Sequence, residues 1–434
     1  MLFAPENWPF SLELLPQPAY LVGGAVRDAI LGRTREYLDL DFVIPFKAVK
    51  LARAIAHHYK AGFVLLDAER QIARVVFPHA TADFAQQEGN SLEVDLHRRD
   101  FTVNAIAYNP HTQEIIDPLQ GCVDLERGIL RMVSAANLED DPLRLMRGYR
   151  QAAQLGFTIE PATQAAIRSL ASHISKVAAE RFRGEIGYLL ANSQGTPWIT
   201  SAWEDGLLAP FFKNATPESL LKLAAVDNAA ALLTENWQQL GVQLQEYVRD
   251  RIKTTWLGIA KLACLVNPDP QLAEIELQEL TYSRAEIRGV TTVLKLLPQL
   301  QLQIVDMSLR EQYLLFHNAD IVFPAMAVLA VALDNLVEAM SGDKPLHTAV
   351  STTQETKARG CQVLAPLINR YLNPDDLVAH PTPVVTGKQL IIALDIPASP
   401  IIGQLLTEIA VAQAEGKILT PTEAIAFARQ LLDG

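Results

Sequence analysis

Strand-forming sequence is concentrated near the start of the chain, and this asymmetry limits the possible folds more than any other feature. Between residues 20 and 134, helical stretches such as FKAVKLARAIAHHYK separate short runs rich in β-branched and aromatic residues: LDFVIP, FVLLD, ARVVF and VNAIAY. From about residue 135 the hydrophobic pattern is helical, with almost no strand signal. The sequence therefore predicts an α+β fold, in which a head with a small mixed β-sheet and helices precedes all-α regions.

A chain of 434 residues is too long for one compact core, so we expect several domains. The proline-rich segment YLNPDDLVAHPTPVVTG separates two helical regions. Pro161 suits the first turn of a helix, and Thr420 with Glu423 has the spacing of a capping box. We predict four parts: a head over 1–134, a helical neck over 135–194, an all-α body over 195–370 and a helical tail over 371–434.

The net charge of −12 argues against a protein that binds nucleic acid through a generally basic surface. The acidic residues are unevenly placed, however, because residues 1–192 contribute −3 and the remainder contributes −9. The arginines of the N-terminal part also occur in local clusters. Such a cluster can bind phosphate even on an acidic protein.

The three cysteines, Cys122, Cys264 and Cys361, lie far apart in the sequence and form no ligand cluster. This usage predicts a reducing, cytoplasmic location and no structural zinc. The N-terminal residues lack the pattern of a secretion signal, and we find no run of about 18 uncharged apolar residues. We therefore expect no membrane span.

The segment VGGAVRDAILG contains adjacent glycines, a spacing that fits neither the dinucleotide fingerprint nor the Walker pattern. Backbone N–H groups of Gly23 and Gly24, with the helix N-terminus that follows, can face phosphate oxygens. Arg27 adds two parallel donors for phosphate. Asp28 either orients Arg27 or caps the helix. The alternative is a plain turn between core elements.

Asp39 and Asp41 are two residues apart in a predicted strand, so their side chains share one face while Leu40 points into the core. Two carboxylates held this close repel each other unless a cation is present. Magnesium prefers oxygen ligands and keeps water and substrate phosphates in its coordination shell. The pair predicts a Mg²⁺ site for phosphoryl chemistry, and a solvent-facing acidic strand is the alternative.

Five motifs follow in order between Leu21 and Ile186: LVGGAVRDAILGR with LDLDF, DLHRRDFTVNAIAYN, DPLQGCVDLERGILRMV, EDDPLRLMRGYR and AAERFRGEI. Together they resemble the class II tRNA nucleotidyltransferases, a family that includes the CCA-adding enzymes and bacterial poly(A) polymerases. The resemblance implies that the head carries the nucleotidyltransferase site and that Asp39 and Asp41 bind the catalytic metal. It also implies that Gly24 and Arg27 bind the triphosphate.

The remaining motifs imply further roles. Arg99 and Asp100 would contact phosphate and ribose with support from Asn104, and the third motif would be a hinge. In the fourth motif Asp141 and Arg144 would read the base edge, with Arg147 and Arg150 lining the same site. These four residues recur every three positions, which predicts one polar stripe on a helix. An Asp and an Arg can together pair with cytosine or adenine and reject uracil and guanine. The alternative is a solvated helix with an ion pair.

Asp83 follows the strand-like ARVVF and could add a third catalytic carboxylate near the metal; a solvated loop aspartate is the alternative. Only AQQEGNSLEVDLH separates Asp83 and Phe84 from Arg98, whereas full CCA-adding members have a flexible loop in this region. Without such a loop, the chain resembles the family members that add only CC.

We therefore expect transfer of CMP from CTP to the tRNA 3′ end, with the helical body holding the tRNA elbow. A separate A-adding enzyme would act afterwards. The alternatives are complete CCA addition or A addition, which would use ATP, a poly(A) polymerase, and a catalytically silent RNA-binding protein.

Overall fold

The computed structural model describes residues 3–33, 37–249, 252–302, 307–341 and 354–433. The chain forms two compact units. Unit 1 contains Met1–Ala178 together with Ser201–Leu207, and unit 2 contains Ala179–Thr200 together with Leu208–Gly434. The predicted head, neck, body and tail were drawn from sequence patterns and have other boundaries, so this division stays a prediction.

Unit 1 is built around a seven-stranded mixed sheet with the order β3-β4-β5-β2-β1-β6-β7. Strands β2 and β5 are parallel, and the other neighbouring strands are antiparallel. The strands are β1 (Tyr20–Val22), β2 (Leu38–Ile44), β3 (Gly62–Asp67), β4 (Ile72–Phe77), β5 (Ala80–Gln86), β6 (Ala107–Asn109) and β7 (Glu114–Ile116). The sequence prediction differs at VNAIAY, where a 3₁₀ helix over Thr102–Asn104 precedes the short strand β6.

The alternation of side chains along β2 places aromatic residues in the core beneath the sheet. Phe42 is 1% exposed and stacks on Phe84 of β5, with ring centroids 5.3 Å apart. Trp8 and Phe10, in the N-terminal segment, pack against the Phe42 ring. Aromatic side chains bury large apolar areas, so this cluster stabilises the β2–β5 pair that carries the acidic residues.

The helices of unit 1 cover the sheet and extend beyond it. They are α1 (Gly24–Ile30), α2 (Ala48–His58), α3 (Leu92–His97), α4 (Gly121–Arg127), α5 (Ala135–Asp140), α6 (Leu143–Leu155) and α7 (Pro161–Ser169). Pro161 is in the first turn of α7, as predicted. A short parallel pair, β8 (Ile129–Leu130) and β9 (Thr158–Ile159), joins the end of the third motif to the segment after α6.

Unit 2 is mainly helical. Its helices are α8 (Ala179–Leu190), α9 (Thr196–Glu204, which ends in unit 1), α10 (Pro217–Asn236), α11 (Gln238–Gln245), α12 (Trp256–Leu265), α13 (Pro270–Glu279), α14 (Arg284–Leu302), α15 (Leu309–Ala319), α16 (Phe323–Ser341), α17 (Gln354–Leu372), α18 (Gly387–Leu394), α19 (Pro400–Ala414) and α20 (Pro421–Asp433). A two-stranded antiparallel ribbon, β10 (Tyr247–Arg249) with β11 (Ile252–Thr255), was not predicted. The predicted capping box before α20 is present, because Thr420 and Glu423 exchange backbone-to-side-chain hydrogen bonds of 3.0 and 3.3 Å.

One stretch, Leu309–Val337, is long and apolar enough to cross a membrane, although the sequence analysis indicated no span. Of its most apolar window, 67% is buried inside the protein. The stretch is also interrupted at Asp320, whose φ is 49°. This burial is the pattern of a core helix in a folded domain.

Candidate active site

A glycine turn forms one wall of the candidate site. Gly23 has a φ of 71° and immediately precedes α1, which begins at Gly24. A β-carbon at Gly23 would lie 3.4 Å from Nη1 of Arg99 and 3.5 Å from Oδ2 of Asp41. The positive φ favours glycine at this position, and the two distances place the turn in van der Waals range of both side chains. The turn therefore brings the first and second motifs to the same edge of the sheet.

The acidic pair lies on β2 beside this turn. Leu40 is completely buried, whereas on the other face Asp39 is exposed and Asp41 is partly buried, as the alternation predicts. Asp39 lies opposite Thr81 of β5, and the Thr81 hydroxyl donates to Oδ1 of Asp39 at 2.6 Å. This hydrogen bond holds one carboxylate oxygen and leaves the other for a ligand.

Asp83 lies next to Asp41 in the β2–β5 register. Its two oxygens accept from Nε and Nη2 of Arg74 on β4, at 2.7 and 2.8 Å. Asp83 is therefore close to the acidic pair, as its position in the sequence suggested, and it is held by a two-point ion pair that the sequence did not predict. Its catalytic role stays a prediction.

The acidic pair has the chemistry of a divalent-cation site. Desolvation, followed by the charges of Asp39 and Asp83, raises the pKa of Asp41 to about 6, although Arg99 and Arg74 act in the opposite direction. A bound cation would relieve this repulsion. Among the described residues no group of three or more His, Cys, Asp or Glu side chains is arranged to hold a metal. Two carboxylates would thus leave coordination positions to water and phosphate oxygens.

Arg27 is fixed in the buried layer behind the glycine turn. It is 5% exposed, its Nε donates to Oδ1 of Asp28 at 2.9 Å, and its Nη1 donates to Oδ1 of Asn104 at 2.7 Å. Asp28, for which the sequence left two roles open, therefore orients Arg27. These contacts hold the guanidinium in one orientation before any ligand binds.

Arg99 offers a cation to the same edge. Its Nη2 lies 3.2 Å from Oδ2 of Asp95, one helical turn before it. Its Nε is buried and has no hydrogen-bond partner within the described part of the chain. A buried donor without a partner is costly, so an anion at this point would be favoured.

Asp100 connects the second motif to α6. Oδ1 accepts from the backbone N–H of Phe101 at 2.8 Å and from Nδ2 of Asn104 at 2.9 Å, while Oδ2 lies 2.8 Å from Nε of Arg147. Burial alone would raise the pKa of Asp100, but Arg147 and these hydrogen bonds outweigh it and lower the pKa. Asp100 is therefore a buried carboxylate that stays ionised.

The other residues of the predicted polar stripe, Asp141, Arg144 and Arg150, make different contacts. Arg144 donates through Nη1 to the carbonyl oxygens of Arg98 and Asn137, at 3.0 and 2.9 Å, so it also contacts the second motif. Asp141 immediately precedes Pro142 at the start of α6. Arg150 donates to Oε1 of Gln154 at 2.6 Å on its own helix. The structure thus brings Arg144 and Arg147 to the second motif.

Three residues at this site escaped the sequence analysis. Thr81 could have been found, because it is two residues before Asp83 and shares its strand face. Gln151 lies one helical turn after Arg147, on the same side of α6. Arg74 carried no local signal, because only the β4–β5 register places it opposite Asp83.

Three family models match the chain. Residues 19–131 match the poly A polymerase head domain, and residues 156–218 match the probable RNA and SrmB-binding site of polymerase A. Residues 251–428 match a putative domain 2 of tRNA nucleotidyltransferase. The first match contains the glycine turn, the acidic strand and the second motif.

Relatives match over nearly the full length. The CC-adding tRNA nucleotidyltransferase of Synechocystis sp. is 48% identical over 98% of this chain and 96% of its own. The A-adding tRNA nucleotidyltransferase of Deinococcus radiodurans is 30% identical over 96% of each chain. A solved CCA-adding enzyme in complex with ATP has the same fold, with a TM-score of 0.68 and 20% identity over 96% of this chain and 91% of its own.

Proposed function

The chain belongs to the tRNA nucleotidyltransferase family, and from this premise we propose that it adds two cytidylate residues to the 3′ end of tRNA. The observation that carries the proposal is the Asp39–Asp41 pair on β2, with Gly23 beside both Asp41 and Arg99, and Asp83 next to Asp41 in the strand register. The arrangement provides carboxylates for a cation and cationic groups for a triphosphate at one edge of the sheet.

In the proposed reaction the 3′-hydroxyl oxygen of tRNA attacks the α-phosphorus of CTP. A new P–O bond forms to the tRNA. The bond between the α-phosphorus and the oxygen that it shares with the β-phosphorus breaks, and pyrophosphate leaves. The hydroxyl proton is released to solvent. Mg²⁺ held by Asp39 and Asp41 would lower the pKa of the hydroxyl and offset charge on the triphosphate.

The protein's own groups position the substrates. Arg27, held by Asp28 and Asn104, would donate to triphosphate oxygens beside the backbone N–H groups of Gly23 and Gly24. Arg99, whose Nε has no hydrogen-bond partner among the described residues, would bind phosphate, and Asp100 would accept from a ribose hydroxyl. These groups are held by the fold before the nucleotide arrives, which lowers the entropic cost of orienting it.

The base would be read at the start of α6. Asp141 offers carboxylate acceptors and Arg144 offers donors, a combination that pairs with the exocyclic amine and ring nitrogen of cytosine. Arg147 and Arg150 are further candidates for contacts at this site. Uracil and guanine present a carbonyl where cytosine presents its amine, so either would leave a polar group unpaired.

Two observations support CC addition over complete CCA addition. The chain passes from β5 to α3 through residues 87–91 alone, which leaves little room for a mobile loop to reshape the base site. The Synechocystis relative, at 48% identity, is a CC-adding enzyme. A separate A-adding enzyme would then complete the terminus. Because all three cysteines are free thiols, we infer that these steps take place in a reducing cytoplasm.

The decisive experiment supplies tRNA ending at the discriminator base, at C or at CC, with labelled CTP or ATP and Mg²⁺, and reads product lengths. We expect addition of two C residues to the first substrate and one to the second, with no addition to CC ends. Addition of A to a CC end would favour a CCA-adding or A-adding enzyme, and long ATP-dependent tails would favour a poly(A) polymerase.

An Asp41→Ala variant tests whether incorporation depends on this carboxylate while the fold is kept. We expect it to keep the fold, measured by circular dichroism, and to lose incorporation. Titration of CTP with and without Mg²⁺ tests the remaining alternative, because a silent RNA-binding protein should show no Mg²⁺-dependent nucleotide binding. Robust incorporation by Asp41→Ala would contradict the proposed mechanism.

A further inference from the structure

A buried glutamine lies between the two halves of the proposed nucleotide site. Gln151 is 1% exposed and belongs to α6, one turn after Arg147. Its Oε1 accepts from Nδ2 of Asn104 at 2.9 Å, and its Nε2 donates to Oδ2 of Asp100 at 3.4 Å. A buried amide is costly unless both ends are hydrogen-bonded, and here both ends contact residues of the second motif.

The donors and acceptors around Gln151 form one continuous path. Arg27 donates to Oδ1 of Asn104 at 2.7 Å, and Nδ2 of Asn104 donates both to Gln151 and to Oδ1 of Asp100. Asp100 in turn accepts from Gln151 and pairs with Arg147. Three separate parts of the chain, α1, the second motif and α6, thus meet around two amides and one carboxylate.

Only one orientation of the Asn104 amide pairs every donor along this path with an acceptor. If Asn104 were flipped, its NH₂ group would face the guanidinium of Arg27, and its oxygen would face the Asp100 carboxylate and the Gln151 oxygen. Both contacts would then be repulsive. Gln151 presents an acceptor to Asn104 and a donor to Asp100, so it stabilises the orientation in which Arg27 and Asp100 are both satisfied.

The packing of α6 against the second motif leaves little freedom for this contact. Gly148 is three residues before Gln151, and a β-carbon there would lie 3.2 Å from Cζ of Phe101. The helix therefore lies close against the segment after Asp100, with little room for a side chain at Gly148. This close packing restricts movement of α6, and with it Gln151, relative to the second motif.

We infer that Gln151 is a positioning residue for the nucleotide. It holds Asp100 toward the ribose and, through Asn104, holds Arg27 toward the triphosphate. Gln151 itself contacts neither. This inference rests on the proposed function, in which Asp100 accepts from a ribose hydroxyl. Discrimination between ribose and deoxyribose would then depend on a residue that does not touch the nucleotide.

The test compares Gln151→Met with wild type in steady-state kinetics on tRNA lacking CCA, using CTP and 2′-deoxy-CTP. Methionine keeps the volume and removes both hydrogen bonds. We expect the ratio of kcat/KM for CTP to that for 2′-deoxy-CTP to fall about tenfold, chiefly through a higher KM for CTP. A merely structural role would lower the values for both nucleotides equally and leave the ratio unchanged.

Gln164→Met is a matched control. Gln164 on α7 also donates its Nε2 to a carboxylate, Oδ2 of Asp205, at 3.1 Å, but neither residue belongs to the proposed nucleotide site. We expect this variant to keep the wild-type ratio. Gln151→Leu serves as a second variant, because it also removes both hydrogen bonds and fills the site with a different apolar shape.

The outcomes are distinguishable. A wild-type protein that adds no C overturns the proposed function and with it this inference. A wild-type protein that adds C without preferring the ribonucleotide overturns the role given to Asp100 and Gln151 alone. An unchanged ratio in either folded Gln151 variant overturns the inference while the proposed function stands.

Discussion

Thr81 on β5 donates its hydroxyl to Oδ1 of Asp39 on β2 at 2.6 Å, across two parallel strands whose residues are 42 positions apart in the sequence. Thr81 is 8% exposed, and its rotamer is restricted because threonine is β-branched. The hydrogen bond therefore orients a carboxylate that we place on the metal. Hydrogen bonds to metal ligands commonly change metal affinity by about 10–100-fold.

Replacement of Thr81 by valine should weaken the metal site. Valine keeps the shape and removes the hydroxyl, so Asp39 loses its orienting partner. We expect the Mg²⁺ concentration for half-maximal CMP incorporation to rise about tenfold with little change in the thermal midpoint. Thr112→Val is the control, because the Thr112 hydroxyl donates to a carboxylate, that of Glu114, at 2.9 Å in the turn between β6 and β7, outside the proposed site. Equal Mg²⁺ curves for both variants would refute the role of Thr81.

The Arg74–Asp83 ion pair should influence the pH dependence of activity. Asp83 raises the pKa of Asp41 and Arg74 lowers it. Arg74→Met removes the positive charge and leaves Asp83 unpaired, so the pKa of Asp41 should rise further. Activity requires the ionised carboxylate and is lost as pH falls through this pKa. At limiting Mg²⁺ we expect the acidic limb of the kcat/KM profile, near pH 6 in the wild type, to move to higher pH.

The double variant Arg74→Met/Asp83→Asn completes this test. It removes both charges, so we expect the acidic limb to return toward the wild-type position. A limb that does not move in Arg74→Met would show that the pair has no electrostatic effect on Asp41. Loss of all activity in Asp83→Asn alone would instead support the direct catalytic role predicted for Asp83.

Asp205 should stabilise unit 1 through α6. Its carboxylate is almost completely buried and accepts from the Tyr149 hydroxyl, from Nε of Arg168 at 2.7 Å and from Nε2 of Gln164 at 3.1 Å. Asp205→Ala leaves the buried Tyr149 hydroxyl without this partner. We expect a loss of about 2–4 kcal/mol in the free energy of unfolding, measured with urea, and a smaller loss for Tyr149→Phe.

The same residue predicts a pH dependence of stability. Burial would raise the pKa of Asp205, but the hydrogen bonds from Tyr149, Gln164 and Arg168 outweigh it and lower the pKa. A lowered pKa in the folded state contributes stability above about pH 4 that is lost as pH falls further. The difference in urea midpoint between wild type and Asp205→Asn should therefore shrink below pH 4. A constant difference would contradict this assignment.

Lys261 and Asp227 form a buried ion pair in unit 2. The Lys261 side chain has no solvent exposure, its Nζ lies 2.6 Å from Oδ1 of Asp227, and it donates to the Asn192 carbonyl and the Thr196 hydroxyl at 2.9 Å. Desolvation lowers the pKa of Lys261 and raises that of Asp227. Lys261→Met leaves a buried carboxylate unpaired, so we expect a loss of about 3–5 kcal/mol in urea unfolding.

Two comparisons make this prediction specific. Lys261→Met/Asp227→Leu removes both charges and should recover most of the lost stability, because an apolar pair needs no desolvation of ions. Lys222→Met breaks the exposed 2.8 Å pair with Glu218 and should cost less than about 1 kcal/mol. A small effect of Lys261→Met would show that Asp227 finds another partner or becomes protonated at little cost.

The sequence predicted the parts of the site that depend on neighbouring residues. Period-two alternation placed Asp39 and Asp41 on one face with Leu40 buried between them. Helical spacing placed Arg144 and Arg147 on α6, but Asp141 of the predicted stripe precedes that helix. The prediction was less complete where two elements compete, as at VNAIAY, where a 3₁₀ helix replaces the first half of the expected strand. The ribbon β10–β11 was also missed, because its strands are short.

Only the tertiary structure decided which side chains hold these groups in place. The β2–β5 register pairs Asp39 with Thr81, the β4–β5 register pairs Asp83 with Arg74, and the packing of α6 places Gln151 between Asn104 and Asp100. Local sequence determines which face of a strand or helix a residue occupies. A hydrogen-bond partner depends on distances of about 3 Å between segments far apart in the chain, and these are set by the collective packing of the core.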